Sequence, residues 1–208
     1  MSEVTLKKAK YVYNVLGDTI RDIEIKTDDF VKSIKFIEKK IPNNIKLLNF
    51  YKASVQLNLM VLDYCAAFRL YLSGTTFYEV RFAIKSLIVI SKESYKRVYG
   101  FNESVRNKGI WRKYLKPLSQ NFTALGKEAD KIEEALSQFD DPLITKDKHS
   151  RDLAIHYSDD YLENYNLLKD LDAERVTHSA NSLNQIFLMI RAYIFNVGVA
   201  YGIIETRK

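Results

Sequence analysis

With 208 residues, a formal net charge of +6, 47% apolar side chains and 14 Tyr beside 11 Phe, the chain can bury one sizeable core and is too apolar for a disordered segment. Seven Gly and three Pro are few for a loop-rich β protein and suit long helices. The single Cys65 excludes a disulfide framework and a cysteine-based zinc site, and its apolar surroundings read as a buried thiol in a reducing cytoplasm.

Taken in chain order, Met1–Lys8 has no apolar h-region, so no secretory leader is expected. The first forty residues read as two amphipathic helices, broken near Gly17 or at Lys26-Thr27-Asp28-Asp29 and ended by Pro42-Asn43-Asn44. A helix from Ile45 to Tyr71 follows, stopping at Ser73-Gly74; its apolar residues cover more than one face, which places it at the centre of a bundle. Thr75 or Thr76 caps the next helix, which carries Phe77, Val80, Ile84, Leu87, Ile88, Tyr95 and Val98 at helical spacing and ends at Gly100. Read alone, Leu87–Ile90 resembles a buried strand, but 87, 88, 91 and 95 continue a 3.6-residue repeat.

Residues 101–118 read as a polar connection that contains the sole Trp, Trp111, and ends near Pro117. A charged helix spans Asn121 to Phe139, and Asp141-Pro142 opens another, with Pro at its first position. Tyr157-Ser158-Asp159-Asp160 marks the end of that helix, and a last long one covers Ala173 to Thr206. The apolar stretches Leu57–Leu72 and Ile186–Ile204 are interrupted by Asp63 and Arg69 and by Arg191, so no membrane span is expected. The expectation is a single all-α bundle of five to seven helices, with 1–42 as an N-terminal extension and 45–205 as its core.

Charge is uneven. Between Arg81 and Lys116 ten Lys/Arg face two acids, giving net +8 in a chain of net +6. Tyr95, Tyr99, Phe101, Trp111 and Tyr114 lie among those cations. Cations neutralise phosphates and rings stack on unpaired bases, so this composition suits single-stranded RNA, with Arg106, Lys108, Arg112 and Lys113 as candidate contacts. The alternative is a solvated basic face with its aromatics in the core.

Two of the three histidines fall near Arg151-Asp152-Leu153-Ala154-Ile155-His156. On a helix His149, Asp152 and His156 stand at i, i+3 and i+7, one stripe that Thr145 joins a turn earlier. Asp152 is therefore placed to orient an imidazole. Arg151 and His156 are separated by roughly 140° on an ideal helix. Sharing one site requires either a helix end at His156 or a second copy of the chain, which favours a homodimer.

An Arg, a polar residue, three more residues and a His, late in a helical bundle, resemble the signature of the HEPN superfamily. Arg151, Asp152 and His156 are the matching residues, with Asp where Asn is commonest. The resemblance implies a dimeric bundle whose paired motifs line a cleft. In active members it implies a metal-independent endoribonuclease, often a toxin or anti-phage effector and in some cases held inactive by an antitoxin. His156 would then serve as general base or acid, Arg151 would grip phosphate, Asp152 would orient the imidazole, and Tyr157 would donate to phosphate or stack on a base. No cofactor is required. Two other readings stand: a non-catalytic module that binds a protein or RNA, and a metal site on His149, Asp152 and His156.

Overall fold

A computed structural model describes residues 3–145, 166 and 169–203, and every regular element among these is helical. Helix α1 runs unbroken over Glu3–Lys40, where the sequence suggests two helices. The polar residues that read as a break are taken up within the helix. Lys26 pairs with Asp22 at 2.7 Å and Lys32 with Asp29 at 3.1 Å, while Thr27 and Ser33 donate back to the carbonyls of Ile23 and Asp29. Gly17 is buried where the Arg69 guanidinium crosses α1, and a Cβ there would lie 3.4 Å from Arg69 Cζ. That is ordinary van der Waals contact, and the helix continues through this glycine.

Helix α2 covers Ile45–Ser73, with Asn44 accepting from the Leu47 amide at its start. It packs against α1, against α3 (Phe77–Val98) and against the last helix, the central position its apolar residues predict. Thr76 caps α3 through a reciprocal capping box with Glu79. The Glu79 carboxylate accepts from the Thr76 and Thr75 amides and the Thr75 hydroxyl, which hold its pKa down to about 2. Gly100, at φ 91°, turns the chain out of α3 in a conformation that favours glycine.

The connection expected to be polar is packed. It contains α4 (Glu103–Arg106), a π-helical turn over Trp111–Leu115 and a 3₁₀ turn over Lys116–Asn121. Ile110, Trp111 and Leu115 are buried. Trp111 meets Tyr193 edge-on at 5.3 Å, and the Tyr193 hydroxyl donates to the Leu115 carbonyl at 3.1 Å. Helix α5 spans Thr123–Gln138 and buries Leu125, Ala129, Ile132 and Leu136 on one stripe. Helix α6, described over Pro142–Thr145, begins at the predicted proline.

Helix α7 spans Ala173–Ala200, capped by Asp172, and ends six residues before the expected Thr206, with Gly202 at φ 64° beyond it. Val176, Ala180, Leu183, Phe187, Ile190, Ile194 and Val197 form a buried seam spaced alternately by four and three. By length and composition α7 is apolar enough to cross a membrane, and half of its most apolar window is buried inside the bundle. Cys65 is buried in the same core, and burial pushes its thiol up to about 11.

Candidate functional site

The motif residues Arg151, Asp152 and His156, with Tyr157 and His149, lie outside the described residues. Their flanks are described. On the upstream side Leu143 and Ile144 are buried and α6 packs on α3. The Thr145 hydroxyl donates to the Asp141 carbonyl at 2.8 Å, within 3.3 Å of Asp140 Oδ1, so it is committed to its own helix. Downstream, Arg81 of α3 donates to the Leu171 carbonyl, and Asp172 accepts from the Arg175 amide at 3.1 Å to start α7. Both ends of the motif-bearing segment are thus tied to α3.

The basic segment is organised around an acid outside it. Glu133, on α5, accepts from the Trp111 indole at 2.8 Å, the Arg112 guanidinium at 2.7 Å and the Tyr99 hydroxyl at 3.0 Å, with Lys116 at 3.4 Å. Burial opposes ionisation of Glu133, but the donors from Arg112, Trp111 and Tyr99 outweigh it and hold its pKa below the ordinary carboxylate value. Arg112 also reaches Glu103 at 2.6 Å, and Arg106 reaches the other oxygen of Glu103 at 2.7 Å. Hydrogen bonds donated to Glu133 raise the Arg112 pKa, and the Arg106 and Arg112 guanidiniums lie over the Tyr99 ring, at 4.8 and 5.2 Å.

Of the four candidate phosphate contacts, then, Arg106 and Arg112 are held by carboxylates, whereas Lys108 and Lys113 are exposed. The aromatics divide in the same way. Tyr95, Tyr99 and Trp111 are core residues, which corrects their reading as stacking faces, because helix packing turns them toward α5 and α7. Tyr114 stays partly exposed, with Lys113 Nζ 4.8 Å from its ring centre.

Lys113 and Tyr114 line an open cavity of about 640 Å³ together with Lys46, Asn49 and Gln120. Its amides, ammonium groups and ring are the donors, acceptors and stacking face that an unpaired nucleotide uses. Lys46, Asn49 and Glu133 carry no local sequence signal, since their roles depend on helices distant in the chain. Among the described residues no group of three His, Cys, Asp or Glu is arranged to hold a metal, and the stripe of His149, Asp152 and His156 lies outside them. No family model, curated protein or solved structure matches the chain.

Proposed function

We propose that this chain binds single-stranded RNA and cleaves it without a metal, as a homodimer whose paired Arg151, Asp152 and His156 line the cleft between copies. The observation that carries the reading is the Arg151–His156 motif itself, in the segment between α6 and α7 of an all-α bundle. The cavity holding Lys113 and Tyr114, with Lys108 exposed nearby in sequence, supports it as a surface for the strand. A toxin or defence role restrained by an antitoxin-like partner accords with the family resemblance.

The chemistry is internal transesterification. One imidazole takes the proton of the 2′-hydroxyl, the 2′-oxygen forms a bond to phosphorus, and the bond to the 5′-oxygen breaks as an acid protonates that oxygen. Arg151 offers two parallel donors to the non-bridging oxygens as charge builds on them. Asp152 favours the imidazolium form and fixes its tautomer. The products are a 2′,3′-cyclic phosphate and a 5′-hydroxyl.

Purified protein, free of any partner, should cut single-stranded RNA in EDTA and leave those ends. His156→Ala and Arg151→Ala should each lower the rate by roughly 10²-fold or more, with the helical circular dichroism spectrum unchanged. Undiminished cleavage by His156→Ala overturns the assignment. One observation favours a second reading, a non-catalytic module: Arg106 and Arg112 are occupied by Glu103 and Glu133, and Asp152 adds a further negative charge to the motif. A folded dimer that binds RNA and cuts none identifies that case.

A further inference from the structure

From Val176 to Ala200 the only formally charged side chain is Arg191, and the structure gives it an unusual setting. It is partly buried in a cleft of about 540 Å³ between α1, α2 and α7, within the range of small-molecule sites. One edge of its guanidinium is fixed. Arg191 Nε donates to Asn58 Oδ1 at 3.1 Å, Asn58 Nδ2 donates to Thr27 Oγ1 at 3.0 Å, and Thr27 Oγ1 donates to the Ile23 carbonyl at 2.7 Å. Asn58 and Thr27 are buried, so the relay is rigid and sets the orientation of the planar fork.

The other edge has no hydrogen bond or ion pair among the described residues. The acid that acts on Arg191, Asp22, is already held by Lys26 at 2.7 Å. Burial lowers the Arg191 pKa and Asp22 opposes that only in part, so the charge stands partly desolvated without an anion on its free side. A side chain that serves only packing gains nothing from such a charge. A ligand that supplies the missing anion does.

The walls select the rest of the ligand. Phe30, Tyr51, Leu188, Ile194 and Phe195 make most of the lining apolar, with Phe30 and Tyr51 edge-to-face at 5.5 Å. Asp29 on the same wall is paired with Lys32 and Lys26 with Asp22, so the lining offers the single charge of Arg191, which matches a monoanion better than a dianion such as phosphate. One free edge of one guanidinium matches one carboxylate, bidentately. We propose that this cleft binds a small organic monocarboxylate with an apolar body, its carboxylate on the free edge of Arg191 and its body against Phe30, Leu188 and Phe195. The site is independent of the ribonuclease reading and uses none of its residues.

The test is isothermal titration of the full chain with octanoate and 2-naphthoate, using octan-1-ol and inorganic phosphate as controls. At least one carboxylate should bind saturably, about tenfold or more tighter than octan-1-ol, because the alcohol leaves the guanidinium unpaired. Arg191→Met keeps the apolar stem and should weaken that binding by about tenfold or more, with the helical circular dichroism spectrum of the unliganded protein unchanged. Asn58→Asp sets a carboxyl group on the Nε edge of Arg191, offsets the guanidinium charge without filling the free edge, and should weaken the same ligand severalfold. The proposal is overturned if neither carboxylate binds, if octan-1-ol binds as well, if phosphate binds more tightly, or if Arg191→Met binds undiminished. Should Arg191→Met fail to fold, the comparison of probes on the natural chain and Asn58→Asp decide between the same outcomes.

Discussion

Glu133 concentrates much of the polar energetics of the α5 face. A partly buried carboxylate with four donors around it is costly to break, since removing it leaves Arg112, the Trp111 indole and the Tyr99 hydroxyl without their acceptor. Its folded pKa lies below the reference value of 4.5, so the unfolded chain takes up the proton first as pH falls. The stabilisation is therefore complete above about pH 4.5 and is lost as pH drops through the lower folded value. Glu133→Gln should lower stability by roughly 1–3 kcal/mol at pH 7 in chemical denaturation. The gap to the natural chain should narrow as pH falls below 4.5. A gap that stays constant across that range would show that the charge of Glu133 contributes nothing. At this scale the sequence discloses which cations exist but not which are free. Arg112 and Lys113 are neighbours in the chain, yet one is bound to a carboxylate 21 residues away and the other faces water.

Helices follow local rules wherever local chemistry decides them. The α3 start at Thr76 with Glu79, the α6 start at Pro142 and the stops near Gly74 and Gly100 are all set by residues within a turn of the boundary. Helix α1 escapes those rules because Thr27 and Ser33 donate back to carbonyls of their own helix, Asp–Lys pairs lie along it, and Gly17 packs under Arg69 of α2. The same distinction separates two other glycines. A Cβ added at Gly126 in α5 would meet nothing within 4 Å, so Gly126→Ala should raise stability by about 0.5–1 kcal/mol through helix propensity. At Gly109 a Cβ would fall 2.6 Å from the Val98 carbonyl oxygen, so Gly109→Ala should cost roughly 1–3 kcal/mol by forcing the turn away from α3. Thermal melts of the two variants should shift in opposite directions, and shifts of the same sign would refute the packing argument.

For the molecule as a whole, the motif sets the expected assembly. On an ideal continuous helix Arg151 and His156 would stand roughly 140° apart, so a shared active site calls for a helix end at His156 or for a second subunit, and the proposed homodimer takes the second course. Sedimentation equilibrium at assay concentrations should therefore return twice the 24.2 kDa chain mass, and nuclease activity should fall on dilution in step with the dimer. Full activity from a purely monomeric species would refute the paired-site arrangement. Sequence alone determined the all-α class, the central place of α2, the span of α5, the buried Cys65 and the candidate motif, because periodicity, capping and composition are local properties. Tertiary structure alone decided that Trp111 is core, that Glu133 holds Arg112, and that Asn58 and Thr27 steady Arg191 in its cleft. Each of those facts joins residues far apart in the chain, and only packed helices bring such partners within hydrogen-bonding distance.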